Sequence, residues 1–208
     1  ADLTGTILVT YGDVPLLTGD TLAALTARHT EQECAVTVVT AHVPNPTGYG
    51  RIVRGADGGV ERIVEQKDAS PTEQQITEIN SGIYAFDAAV LRAALADVGT
   101  DTAQGEKYLT DVLAIAHRGG HRVDAHVIDD LWQTEGVNDR VQLATLGREL
   151  NRRVCERHMR AGVTIVDPMT TWIDVDVTIG ADTAILPGTQ LLGATSIGSD
   201  AVIGPEVT

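Results

Sequence analysis

The chain has 208 residues, 43% of them hydrophobic but only 3% aromatic, so it is long enough to bury a core that Val, Ile, Leu and Ala must fill. A formal charge of −14 excludes a general nucleic-acid surface, which needs clustered cations. Cys34 and Cys155 lack CxxC spacing and read as free thiols in a reducing compartment; with no apolar run of transmembrane length and no charged-then-apolar leader, the chain reads as soluble and cytoplasmic, without an integral membrane segment.

β-favouring residues at 7–10 predict a buried strand that ends at Tyr11-Gly12-Asp13. Open α/β sheets bind ligands at such strand ends, so Asp13 is expected on a strand-to-helix loop facing a crevice, with a simple turn or cap as the alternative. Val14-Pro15 bars further pairing, and Thr18-Gly19-Asp20 offers caps for a helix over about 21–32, with Leu22, Leu25 and His29 in apolar rhythm. A strand at 35–40 follows, and the order strand, helix, strand implies a parallel crossover.

Residues 44–50 form a turn-rich loop, and strands at 51–54 and 60–65 around Asp57-Gly58-Gly59 predict a hairpin that makes an excursion from the sheet. A charged stretch leads to a strand at 79–86 with Asn80-Ser81-Gly82 near its start. Helical spacing covers 87–96 and 108–117, Gly119-Gly120 stops the second helix, and a strand spans 123–128. A longer helix runs from 138 to about 160, with Val141, Leu146, Leu150 and Val154 on its apolar side.

Beyond that helix the period changes. Ile173, Ile179, Ile185, Leu191, Ile197 and Ile203 recur every sixth residue, and Val177, Thr183, Thr189, Thr195, Ala201 and Val207 each lie four positions on. Gly180, Gly198 and Gly204 follow three of the aliphatic positions and predict tight turns in a β-solenoid. Such a solenoid stacks coil on coil, and no glycine-rich phosphate loop precedes Ile7, so the chain is expected to be a fragment at both ends.

An α/β domain joined through a helix to hexapeptide repeats resembles the bifunctional N-acetylglucosamine-1-phosphate uridylyltransferase / glucosamine-1-phosphate acetyltransferase family. The resemblance rests on Tyr11-Gly12-Asp13-Val14-Pro15-Leu16, Gly48-Tyr49-Gly50-Arg51-Ile52, Ile63-Val64-Glu65-Gln66-Lys67-Asp68-Ala69, Glu78-Ile79-Asn80-Ser81-Gly82, Ala103-Gln104-Gly105-Glu106, Tyr108-Leu109-Thr110-Asp111 and Gly136-Val137-Asn138-Asp139-Arg140, in that order. It implies a partial Rossmann-like α/β nucleotidyltransferase domain at 1–137, a connecting helix at 138–162, and the start of a left-handed parallel β-helix of hexapeptide repeats at 163–208.

The resemblance further implies Mg²⁺ as cofactor, held by Asp13 and Asn138, and a substrate site using Tyr11, Gly12, Asp13, Gly50, Glu65, Asn80 and Asn138. Judged locally, Asn138 is a helix N-cap, Glu65 an exposed strand charge and Asn80 a turn former. The residue types suit the chemistry: Mg²⁺ takes few hard oxygen ligands from protein, glycine lets backbone approach a ligand, and Glu65 and Asn80 can hydrogen-bond sugar hydroxyls. The implied reaction is attack of N-acetylglucosamine-1-phosphate on UTP, giving UDP-N-acetylglucosamine and pyrophosphate for peptidoglycan and lipopolysaccharide precursors. It needs positioning and charge neutralisation, and no protein nucleophile is assigned. The family's triphosphate-gripping loop and its acetyl-CoA site fall outside the chain, so the fragment is expected to be weak or inactive alone.

The six histidines show no metal-protease motif, and a metal site among them is not expected. Arg148, Arg152, Arg153, Arg157 and Arg160 make the long helix basic, but interleaved Glu149 and Glu156 favour a solvated or subunit-facing helix over a membrane contact. Two alternatives stand beside the uridylyltransferase: another sugar-1-phosphate nucleotidyltransferase, and a non-catalytic module whose solenoid drives a homotrimer.

Overall fold

The computed structural model describes residues 3–99 and 107–208, so the quoted motif at 103–106 lies outside the described residues. The chain forms two compact units, Ala1–Gly136 and Val137–Thr208.

The first unit is built on a mixed sheet of β1 (Thr6–Val9), β2 (Val36–His42), β3 (Arg51–Arg54), β4 (Val60–Val64), β5 (Glu78–Asp87) and β6 (Val123–Val127), in the order β4-β3-β5-β2-β6 with β1 also paired to β5. Strand alternation directs Val36, Val38, Tyr84 and Phe86 into one core, with Leu91 of α2 (Ala88–Asp97) and Val112 and Leu113 of α3 (Asp111–Arg118). Val39, Ile83 and Ala85 enter a second core with Leu25 of α1 (Gly19–Glu31). The sheet therefore carries helices on both faces, the Rossmann-like α/β arrangement. Thr18 caps α1 by accepting from the Thr21 amide, and Asp87 caps α2 by accepting from Ala89 and Val90.

Two expectations are corrected, and the parallel crossover holds. β1 is not buried: it pairs only with β5 among the described residues, and its side chains alternate between exposed and half-buried, because an apolar run cannot distinguish a central strand from an edge. The crossover is parallel, since β1 and β2 are both antiparallel to β5, but β5 lies between them. The hairpin does not leave the sheet; β3 pairs with β5 through Arg51 and Ile79, so the hairpin extends the sheet edge.

The second unit begins with α4 (Arg140–Arg160), followed by β7 (Thr164–Ile165), β8 (Trp172–Ile173), β9 (Thr178–Ile179), β10 (Ala184–Ile185), β11 (Gln190–Leu191), β12 (Ser196–Ile197) and β13 (Val202–Ile203). Every aliphatic repeat position ends a two-residue strand, and all strand pairs are parallel: β8 with β11, β9 with β12, and β10 with both β7 and β13. Ile165, Ile173, Ile185 and Leu191 face inward beside Val154 and Cys155 of α4. Asn151 joins helix to coils, donating to the Thr171 carbonyl at 2.8 Å and accepting from the Ile173 amide at 2.9 Å.

The apolar side predicted for α4 is only half right. Leu146 and Val154 are buried, whereas Val141 is 75% and Leu150 38% exposed, and Glu149, Asn151 and His158 are buried instead. Glu149 can be buried because Arg152 and Arg153 neutralise it, which also accounts for part of the helix's basic face. Among the predicted turn glycines only Gly204 has positive φ, at +100°. Gly180 is required by stacking, since a Cβ there would stand 2.5 Å from the Ser199 amide nitrogen, and Gly198 meets neither constraint. Both cysteines are free and buried.

Candidate functional site

The start of β5 is where the sheet ladder breaks. Val38 pairs with Tyr84 but Thr40 pairs with Asn80, so β5 carries two more residues than β2 over this interval. Gly82 takes φ +79°, and side chains replace the lost ladder bonds: Asn80 Oδ1 accepts from the Gly82 amide at 3.0 Å, Ser81 Oγ accepts from the Ile83 amide at 3.2 Å, and Ser81 Oγ donates to the Val39 carbonyl at 2.7 Å. Asn80 still pairs with Thr40 at the foot of the bulge, and its backbone amide donates to the Gly50 carbonyl at 2.9 Å.

Three other segments meet it. Tyr11, beyond β1, lays its ring over Gly82, where any Cβ would lie 1.9 Å from the ring. Gly50 opens β3, and a Cβ there would come within 3.4 Å of both Glu65 carboxylate oxygens. Glu65, just past β4, accepts from Thr110 Oγ1 at 3.1 Å. Burial raises the Tyr11 phenol, with the Glu65 and Asp13 carboxylates adding to the effect. Tyr11, Gly50, Glu65 and Asn80 thus converge from four separate stretches of chain.

Asp13 is exposed, and its carboxylate makes no hydrogen bond or ion pair among the described residues. Gly136 faces it, so close that a Cβ would stand 3.5 Å from Oδ2. Gly12 is exposed, with open space where a Cβ would sit. Asn138 belongs to the second unit. There it is not the N-cap that local reading proposed, because Asp139 accepts from the Gln142 amide at 2.8 Å and fills that role. The Asn138 amide nitrogen instead donates to Gln142 Oε1 at 2.7 Å. No group of three or more His, Cys, Asp or Glu side chains gathers among the described residues.

Several residues around the site escaped the sequence reading. Gln133 Oε1 accepts from the Thr18 amide at 3.1 Å and from Thr21 Oγ1 at 2.7 Å, tying the segment before Gly136 to the cap of α1 on either side of the Asp13 loop. Arg51, 1% exposed, donates to the Tyr49 carbonyl and to Gln66 Oε1, which also accepts from the Gly48 amide at 3.1 Å, and so braces the loop before Gly50. Glu78 is buried against Arg54 and Thr40. Only Gly82, a glycine inside a strand pattern, carried a readable signal.

An α/β sheet with helices on both faces, a broken ladder at one end and polar groups gathered there from several loops defines a ligand-binding α/β protein. The chain belongs to the nucleotidyl transferase family, which matches residues 2–175. It is similar to proteins named bifunctional protein GlmU: 64% identical to that of Corynebacterium efficiens over 98% of this chain, 62% identical to that of Pseudarthrobacter chlorophenolicus over its whole length, and 60% identical to that of Mycolicibacterium vanbaalenii. The chain spans 42% of the length of these relatives. The matches agree with the resemblance carried by the motifs. No helix among the described residues is long and apolar enough to cross a membrane.

Proposed function

We propose that the first unit carries the sugar-nucleotide site of a uridylyltransferase, which joins UTP and N-acetylglucosamine-1-phosphate into UDP-N-acetylglucosamine and pyrophosphate. The observation that carries this reading is the convergence of Tyr11, Gly50, Glu65 and Asn80 around the β5 bulge, in a chain of the nucleotidyl transferase family. Glu65 accepts from sugar hydroxyls, Asn80 bonds the same sugar, and the bare Gly12 and Gly50 backbone lets the ligand approach closely.

Asp13 fits Mg²⁺. Its carboxylate is solvent-facing and unpaired among the described residues, and Gly136 leaves room beside it. Asp13 would hold the ion, with Asn138 the second protein ligand that the family resemblance implies. Bound there, Mg²⁺ would supply charge neutralisation between the two phosphates. The attacking oxygen is already anionic, so the chain's own residues bind and orient. We also read the second unit as coils of a left-handed β-helix through which the protein trimerises, supported by its uniformly parallel strand pairs. No residue is proposed for acetyl transfer.

Calorimetric titration of UDP-N-acetylglucosamine into the chain, with and without Mg²⁺, tests the reading. Binding is expected to tighten with Mg²⁺, and the Asp13→Ala variant should lose that increment while its unfolding free energy changes by less than about 0.5 kcal/mol, as for an exposed unpaired side chain. Absence of binding by the folded chain would sink the reading and leave the assembly role as the better account.

A further inference from the structure

We infer that Tyr84 is a positioning residue: it pins the Asn80 side-chain carbonyl inward, so that the side-chain NH₂ is the group Asn80 offers to the sugar of a bound sugar nucleotide. This rests on the sugar-nucleotide reading above and adds to it the direction of the hydrogen bond.

Which end of an asparagine amide points where is ordinarily ambiguous. Here chemistry settles it. The Gly82 backbone nitrogen, 3.0 Å from one terminal atom of Asn80, can only donate, so that atom must be the oxygen. The Tyr84 hydroxyl lies 2.9 Å from the same oxygen and therefore donates to it as well. Both partners are held firmly. Gly82 is fixed at the bulge under the Tyr11 ring, and Tyr84 is 1% exposed, its ring centroid 5.3 Å from that of Phe86. With its oxygen doubly engaged, Asn80 keeps only its NH₂ free, and that group makes no hydrogen bond among the described residues. The clamp selects for an acceptor on the ligand, either a hydroxyl oxygen or an amide carbonyl. Phenylalanine at 84 would preserve packing and remove only the second donor.

The test is a double-mutant cycle on the whole chain, with Tyr84→Phe, Asn80→Ala and the pair titrated against UDP-N-acetylglucosamine and, as control, UDP. Tyr84→Phe should weaken UDP-N-acetylglucosamine about five- to tenfold, the size of one hydrogen bond, and leave UDP unchanged. In the Asn80→Ala background it should cause no further loss. Equal losses in both backgrounds, or equal weakening of UDP, would overturn the inference, since a merely structural tyrosine would act that way. A ligand-free readout runs beside it: by NMR, the Tyr84 hydroxyl proton should exchange slowly in the unsubstituted chain and lose protection in Asn80→Ala. A freely exchanging hydroxyl overturns the clamp. A chain that binds neither compound counts against the sugar-nucleotide reading, and the hydroxyl signal then decides the clamp alone.

Discussion

Asn80 and Ile185 are both buried, but by different routes. Ile185 sits between Ile165 and Ile203, its partners in flanking parallel strands, and its surroundings recur along the repeat. Asn80 is held by Gly50, Gly82 and Tyr84, with Tyr11 and Glu65 close by, and no fixed spacing relates them. The repeat unit satisfies its backbone by copying one solution. The α/β unit does so by a unique arrangement, and that is where chemistry can be built. At the β5 bulge the Asn80 side-chain oxygen takes the place of a ladder acceptor for the Gly82 amide, and its NH₂ is left without a partner among the described residues.

The comparison breaks first in the coils. Ile185→Ala removes a side chain with no exposure from the middle of a three-strand stack and should cost about 2–5 kcal/mol in denaturant unfolding. Ile203→Ala, at the same repeat position but only half-buried, should cost clearly less. Equal costs would mean that position in the stack does not matter.

Next comes the Glu78–Arg54 pair at the root of β5, of which only the carboxylate is buried. Burial works to raise the Glu78 carboxyl, but hydrogen bonds from Arg54 and Thr40 prevail and hold it below the usual range. Its folded value therefore lies below the unfolded one of about 4.3. The pair's contribution is fully present above that pH and is lost as pH falls through the lowered folded value. Glu78→Gln should cost about 1.5–3 kcal/mol at pH 7, with the gap to the unsubstituted chain closing in acid; unfolding curves at both pH values would check it.

The smallest effect separates two glycines in equivalent places, directly after β9 and β12. Gly180→Ala drives a Cβ to within 2.5 Å of backbone and should cost about 1–3 kcal/mol. Gly198→Ala meets nothing within 4 Å at ordinary φ and should stay within about 0.5 kcal/mol of the parent chain. Matching losses in thermal unfolding would show that a turn requirement common to both sites, not stacking, demands glycine.

The repeat was legible because a period survives any tertiary context: each Ile or Leu at the sixth-residue spacing lies on a strand. The left-handed positions were not. Asp182, Gly188, Asp200 and Glu206 take positive φ at multiples of six residues, hidden because three of them are not glycine. In the α/β unit the elements and the cap at Thr18 followed from local pattern, whereas Asp87, read as the first helical residue, caps α2 instead. The edge position of β1, the hairpin's place in the sheet and the capping of α4 by Asp139 in place of Asn138 did not, since each depends on which neighbour wins a contact.

By itself the sequence determined most of the strands and helices, the six-residue aliphatic period and, through its motifs, the family. Only the tertiary structure decided that Asn80 sits beside a bulge in β5, that Tyr84 and Gly82 orient its amide, and that Gln133 and Arg51 brace the loops around it. Periodicity and capping are local, fixed by a few consecutive residues and their dihedral preferences. A site is a coincidence of distant segments, and its hydrogen bonds exist only after the sheet order and register have brought those segments together.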